Sequence, residues 1–548
     1  MADLSSLLGA QQNTKASNDH EISASNDEWA RTLHILESYN GEMRSTWENE
    51  PSRLNAPRVS LAVSTDLKQW NYRYMFEKKG ERSLGSWKSN AELDNRLDDM
   101  GEVLRQSFGI DTELEDPSIA SQESIYCVGR ICMRLDPESK NGSSSTNTRL
   151  NPSNLMIETS RMVGNGKRVI LALDPSCRAR FAFTDDTAQI ASVVGLFPGM
   201  IVGARGRNGG GNRFVVEELL IPPALPHPAT NRSELMHHQY GEKRLEGSPL
   251  RMMVSAGPFT DPQDLQFKPW HGFITHVETM SPDVLLLLGP FLSASHEKIV
   301  SGDIDDLPTS IFQRHISRRI TRLMERSPGT TVILVPSTED IVHSHFAYPQ
   351  PFLNKNDASL GLPKRVRCLP NPCIFYVNEL AIGVSTADVL GDLRREELVQ
   401  RVQAAGTTPA GNKLPTAAAN DARDPMLRLS RHVLSQRTFY PIFPPSSSSK
   451  LPLDLTHSRL CALDQVTPDL MILPSTTVKP FLRLVDSTMV VNCGALVGRK
   501  ENRMPGTFVR MQISAMPRDS LHSDDQSADE LVTHELYKRA RIDLVQTN

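Results

Sequence analysis

Four apolar stretches of this sequence run into short loops, and the residues there decide whether the chain could perform hydrolytic chemistry. The loops read VSAGPF, LLGPFLS, VPSTED and LPSTTVKPF. A metal-assisted attack on phosphorus uses two divalent ions about 3.5–4 Å apart, bridged by a carboxylate and held by His and Asp. The first loop supplies Ala256, Gly257 and Pro258; the second supplies Gly289, Pro290, Phe291, Leu292 and Ser293. In the third, Pro336, Ser337 and Thr338 precede Glu339 and Asp340, and the fourth carries Pro474, Ser475, Thr476 and Thr477. Glu339 and Asp340 alone cannot hold a bridged pair, because each ion needs several donors at fixed distances. The loops stand where chemistry is expected and lack its reagents, so no catalytic residue, metal or cofactor is assigned.

Other constellations are no stronger. His343 and His345 in DIVHSHF are spaced to project from one side of an extended segment, but the neighbouring loops offer too few carboxylates to join them. Cys127 and Cys132, and again Cys368 and Cys373, resemble half-sites for zinc; each pair lies in strand-like sequence, where Cys behaves as a small hydrophobe. No nucleophile elbow, P-loop, H-E-x-x-H or paired C-x-x-C is present. The Gly-rich RNGGGN lacks the Lys-Ser/Thr ending of a phosphate cradle and reads as a hairpin tip.

The loops need strands to carry them. From Leu250 onward RMMVSAGPF, DVLLLLGPF, TVILVPSTED, CIFYVNELAIGVS, LMILPSTT and TMVVNCGALV are apolar runs separated by longer stretches, the βαβ pattern of a sheet covered on both faces. Between the second and third, Ile311, Phe312, Ile316, Ile320 and Leu323 form an apolar helix stripe, with Arg314, Arg318, Arg319, Arg322 and Arg326 as its solvated face. Residues 122–225 hold shorter strands broken by KNGSSSTNT, GNGK and RNGGGN, the pattern of a small antiparallel barrel. Its Phe181, Phe183, Phe197 and Phe214 fall mostly at core positions by alternation. Leu93, Leu97, Met100, Leu104 and Phe108 lie on one face of a connecting helix over 85–121, which should pack on that barrel.

Boundaries follow composition. Residues 1–84 are polar, with a weak apolar patch at Trp29, Leu33, Leu36 and Tyr39, and are read as largely disordered. The prolines of IPPALPHPAT open a linker over 226–249. Insertions near 404–425 and 444–452 are read as mobile surface loops, and the terminal YKRARIDLV as a strand returning to the sheet edge. At 548 residues two or three domains are expected. With 60 Lys and Arg against 64 Asp and Glu, the net charge of −4 offers no global attraction for DNA or an anionic membrane, so any DNA contact would be weak and local. Seven cysteines spread thinly argue against a disulfide framework, and neither a secretory signal nor a membrane-length apolar run is seen.

VSAGPFT, VLLLLGPFLSASH, VILVPSTEDIVHSHFAYPQPF, LPNPCIFYVNELAIGVSTADVL, LSQRTFYPIFPP and LMILPSTTVKPFLRLVDSTMVVNCGAL together resemble, in order and spacing, the B subunits of DNA polymerase alpha. The resemblance covers residues 85–548. It implies an OB-fold barrel at 122–225, then a calcineurin-like metallophosphoesterase α/β sandwich over 250–548 that lacks metal ligands and is not an enzyme. It further implies an accessory, regulatory role in initiating DNA replication in the nucleus. The implied partner is the zinc-binding C-terminal domain of the polymerase catalytic subunit, which would link the chain indirectly to primase. The loops at Ala256, Gly257, Pro258, Gly289, Pro290, Phe291, Ser337, Thr338, Asp340, Pro474, Ser475 and Thr477 are then vestiges of an active site. Proline-stiffened aromatics lose little entropy on docking, so Phe259 and Phe291 are expected to be exposed, and Tyr440 and Phe443 to contact the partner. Competing readings are a B subunit of the delta or epsilon type, an active metal-dependent phosphodiesterase, and a single-strand binder using the barrel.

Overall fold

The computed structural model describes residues 33–47, 55–64, 85–134, 149–182, 189–403, 423–446, 449, 451–463, 465–499, 504–521 and 530–547, with only the backbone course given for 85–90 and 189–190. Phe183, Trp29 and residues 404–422 of the first insertion lie outside them.

Five strands of the first domain pair in a closed circuit. Ser121–Met133 pairs with Leu155–Glu158 and with Ile201–Asn208; Ile201–Asn208 pairs with Arg213–Ile221; Arg213–Ile221 pairs with Arg168–Phe181, which returns to Leu155–Glu158. The expected wholly antiparallel barrel needs one correction, since Arg168–Phe181 and Arg213–Ile221 run parallel. Their ladder is interrupted between Leu173 and Arg178, where Pro175 has no N–H to donate. Inside are Ile131, Ile157, Leu171, Phe197, Phe214 and Val216, all fully buried. RNGGGN forms the hairpin tip, with Gly211 at a φ of 78° that suits glycine. Helix Gly85–Phe108 lays Leu97, Met100 and Leu104 against Ile201 and Leu220 of the barrel wall.

The second domain is a sandwich of two sheets. The first runs His34–Tyr39, Ala540–Thr547, Gly506–Ile513, Leu250–Ala256, Val284–Leu288, Thr331–Val335, Arg367–Cys368 in spatial order, and its last four strands are mutually parallel. The second runs Phe481–Val485, Thr488–Asn492, Leu470–Ile472, Leu380–Val384, Cys373–Val377, Leu61–Val63. Strand alternation explains why VLLLL is apolar throughout. Leu286 and Leu288 face the second sheet through Ile382 and Met489, whereas Leu285 and Leu287 face helices carrying Trp270, Phe273, Phe312 and Ile320. The arginine-rich helix contains a π turn at Gln313–Ser317, where the His315 carbonyl accepts from Trp270 Nε1 at 2.9 Å. Its outer face is solvated: Arg314 meets Asp306 and Arg326 meets Glu278, each at 2.7 Å, while Arg318 and Arg322 are exposed.

Several segments expected to lack structure are parts of this sandwich. His34–Tyr39 and Leu61–Val63 are edge strands of the two sheets. The alternation in HILESY is weak because much of the strand stays exposed, but Ser38 bonds Asp543 and Glu37 meets Arg483 at 2.7 Å. The C-terminal strand is therefore not an edge, since His34–Tyr39 covers it. Within 226–249, Ala229–Asn231 pairs with Leu531–Thr533, and helix Arg232–Tyr240 buries Leu235 against Met516 and Leu521. In the second insertion Ser446 is buried and Ser449 Oγ donates to Asp392 at 2.7 Å, so its described residues are tied down. Short polar segments of this kind gain order from partners far away in sequence.

The two domains share one apolar cluster, which joins Leu196, Phe197 and Met200 of the barrel to Leu429, Val433, Phe439 and Met471 of the sandwich. Val193–Leu196 and Leu398–Arg401 form an antiparallel ladder between them. Above it Glu397 accepts from Arg428 Nε at 2.7 Å and His432 Nε2 at 2.9 Å. Burial opposes ionisation of Glu397, but these donors outweigh it and hold the carboxyl down at about 2. Gly195 is required there, since a Cβ would come within 2.0 Å of Glu397 Oε1.

Candidate functional site

The strand-end loops form one continuous rim. Gly257 and Pro290 are in such close contact that a Cβ on Gly257 would lie 1.9 Å from the Pro290 carbonyl oxygen. Second and third loops are stapled by Asp340. One oxygen accepts from the backbone N–H of Phe291 and, at 3.2 Å, of Leu292; the other accepts from Ser337 N–H at 2.8 Å. Gly289 leaves room for this, as its Cβ would approach Asp340 Oδ2 to 2.3 Å. Thr386 Oγ1 donates to the Pro336 carbonyl at 2.9 Å, and Thr477 Oγ1 donates to Asp388 Oδ2 at 2.8 Å, which extends the rim to the fourth loop. There Asn492 Oδ1 accepts from Ser475 N–H at 2.9 Å.

This arrangement commits the remaining acids. Burial raises Asp340 to about 7 against the pull of its three N–H donors. Asp388 is likewise raised by burial, while hydroxyl and backbone donors work the other way. His343 is buried, with Nδ1 on the His345 carbonyl and backbone N–H at 3.0 Å and Nε2 on the Pro351 carbonyl at 2.9 Å. Neither ring nitrogen of His343 is left for an ion. Among the described residues, no three His, Cys, Asp or Glu side chains converge as metal ligands. The described cysteines carry no disulfide, and burial drives Cys132 and Cys368 up to about 12. The described side chains of the loops fix one another.

The aromatics fall elsewhere than expected. Phe259 and Phe291 are buried and stacked at 5.7 Å, and Phe312 meets Phe291 edge-on at 6.0 Å, so both expectations of exposure are corrected. Tyr440 is also core: it is 4% exposed, and its hydroxyl donates to Asp392 Oδ2 at 2.7 Å. It is no surface anchor in this fold. Phe443 remains partly exposed at the seam between domains, with the Arg130 guanidinium 5.7 Å from its ring centroid and its N–H on the Pro198 carbonyl. Of the vestigial-loop residues, Pro258, Pro290 and Thr338 are partly exposed and Thr477 is exposed; Ala256, Gly257, Gly289, Phe291, Ser337, Asp340, Pro474 and Ser475 are buried. Sequence reasoning missed the roles of Asp388, Asn492 and Glu397; the first two lie inside the quoted stretches, but their partners Thr477 and Ser475, like Arg428 for Glu397, are set only by the fold. In the barrel, Phe197 and Phe214 are buried and Phe181 is partly so.

Residues 252–483 match the family model for the B subunit of DNA polymerases alpha and epsilon, and residues 90–221 match that for the OB domain of the DNA polymerase alpha B subunit. These two matches define the class: a B subunit of the DNA polymerase alpha/epsilon type. The DNA polymerase alpha B subunit of Schizosaccharomyces pombe is 29% identical over 99% of this chain and 85% of its own length. That of Saccharomyces cerevisiae is 28% identical, covering 89% and 67%, and that of Bos taurus 26%, covering 74% and 56%. The chain belongs to the family of DNA polymerase alpha B subunits.

Proposed function

We propose that this chain is a non-catalytic, regulatory subunit of a DNA polymerase alpha–primase complex. On this reading it binds the zinc-binding C-terminal domain of the catalytic subunit, reaches primase indirectly, and supports the initiation of replication in the nucleus. The observation that carries the reading is the closure of the strand-end rim by Asp340. A carboxylate that a phosphoesterase would turn toward an ion is spent on the N–H groups of Phe291, Leu292 and Ser337. The domain is on this view a calcineurin-like sandwich without activity, serving as a rigid platform with the OB barrel fixed to it. The alpha-type OB match favours this assembly over a delta or epsilon type. Burial of Phe197 and Phe214 leaves fewer rings for stacking bases, which speaks against a dedicated strand binder.

Co-expression of the full chain with the C-terminal domain of a polymerase alpha catalytic subunit should give a stoichiometric complex on size exclusion. Deleting the Cys-rich part of that domain should abolish it. Absence of association, or two tightly bound divalent ions and phosphodiester turnover in the purified chain, would overturn the proposal. Within this reading Phe443→Ala, at the domain seam, should weaken the complex with folding unchanged.

A further inference from the structure

A groove runs between the connecting helix and the segment that follows helix Pro425–Ser435. It comprises a cavity of about 490 Å³ and an adjoining one of about 630 Å³, which share Arg459 and Ala462. Three guanidinium groups line the first cavity. Arg96 donates Nη2 to the Gln436 carbonyl at 2.9 Å, and Arg437 donates Nε to the Pro223 carbonyl at 3.1 Å. Those bonds fix each stem on the backbone and leave most of each fork of five donors uncommitted. Among the described residues, neither guanidinium has a carboxylate within ion-pair distance, and neither does that of Arg459.

The cost of this arrangement is visible. Burial lowers Arg96 to about 10, with the neighbouring Arg130 cation adding to the effect, and burial also lowers Arg437. Arg437 further sits at a φ of 52°, in the left-handed region. Both side chains are partly exposed to the cavity, so an anion there could reach the donors that their backbone bonds leave free. The same wall also carries Glu92 and Asp99, with the apolar Met100 and Leu463 alongside. A polyphosphate would satisfy the arginines and be repelled by those acids. A peptide with side chains of both signs around an apolar residue would satisfy all of them.

We propose that this groove docks an extended, mixed-charge peptide segment of a protein partner, with carboxylates on Arg96 and Arg437, an apolar residue on Met100 and Leu463, and a basic residue at Glu92 and Asp99. The inference stands apart from the assembly proposed above, because it requires no particular polymerase subunit. The probes are fluorescein-labelled short peptides permuting Glu, Leu and Lys, the same peptides with Glu replaced by Gln, and an oligothymidylate of equal length. All are titrated by anisotropy against the full chain.

Peptides containing Glu and Lys should bind, and Arg437→Gly, which suits the backbone at that position, should weaken them by about tenfold, the loss expected for a charge-assisted hydrogen bond. The exposed Asp99→Lys should shift preference toward peptides richer in Glu, and Arg459→Gln should weaken binding with melting unchanged. These two surface variants decide the matter if Arg437→Gly does not fold. The proposal is wrong if no peptide saturates the chain, if the Gln peptides bind equally well, if the variants leave affinity unchanged, or if only the oligothymidylate binds.

Discussion

Replacing Glu397 by Gln tests whether the buried charge that clamps Arg428 and His432 beneath the barrel stabilises the fold. The Glu397 side chain is 6% exposed, Arg428 10% and His432 7%, so the ion pairs lie largely out of reach of solvent screening. Removing one partner of such a pair costs about 3–5 kcal/mol, because the remaining cation stays buried without its anion. Linkage gives an independent figure. A carboxyl held at about 2 instead of its ordinary 4.5 stabilises the fold by about 3 kcal/mol, at roughly 1.4 kcal/mol per pH unit. The sign follows from the depressed value: this stability is present above pH 4.5 and is lost as pH falls toward 2. Urea titrations followed by the fluorescence of buried Trp270 should show Glu397→Gln less stable than wild type by about 3 kcal/mol at pH 7. The gap should close progressively below pH 4.5, as the wild-type carboxyl becomes neutral like the amide. A difference below about 1 kcal/mol at pH 7, or a gap that stays constant into acid, would refute the clamp.

Asp340→Ala should destabilise the chain by about 3 kcal/mol or more, since the N–H groups of Phe291, Leu292 and Ser337 lose their acceptor; urea midpoints check it. Asp340→Asn should remove a pH dependence of the opposite sign. Burial raises Asp340 to about 7, so its contribution is complete below about 4 and is lost as pH rises through 7. Phe291→Ala should cost about 3–5 kcal/mol by thermal melting, as expected for a ring enclosed by Phe259 and Phe312. Tyr440→Phe should lower stability by about 1.5–3 kcal/mol, through loss of the bond to Asp392, while leaving affinity for a polymerase partner unchanged.

The strands were legible because Val and Leu runs ending in Gly-Pro leave few alternatives, and Leu250–Ala256, Val284–Leu288 and Thr331–Val335 stand where the pattern put them. Which residue types stand at the loops is legible in one dimension. The direction of an aromatic is not. Phe259 and Phe291 follow Gly-Pro corners that could turn either way, and only the neighbouring Phe312 and Trp270 decide that they turn inward. His34–Tyr39 escaped notice because its order derives from residues 542–546, at the far end of the chain, rather than from its own alternation. Glu397, Arg428 and His432 are ordinary polar residues in sequence; the fold brings them together across some thirty residues, with Gly195 of the barrel packed against them.

The placement of Ala540–Thr547 between Gly506–Ile513 and His34–Tyr39 bears on how the molecule is made. A ribosome delivers the outermost strand of this sheet before all its other strands and the strand beneath it after them, so His34–Tyr39 has no neighbour until Ala540–Thr547 has been made. Meanwhile the nascent chain carries an open edge along Gly506–Ile513, the kind of surface that pairs with foreign strands. A chain that lost Ala540–Thr547 would keep its barrel and leave its main sheet unsealed between Gly506–Ile513 and His34–Tyr39, a natural substrate for chaperones and proteases.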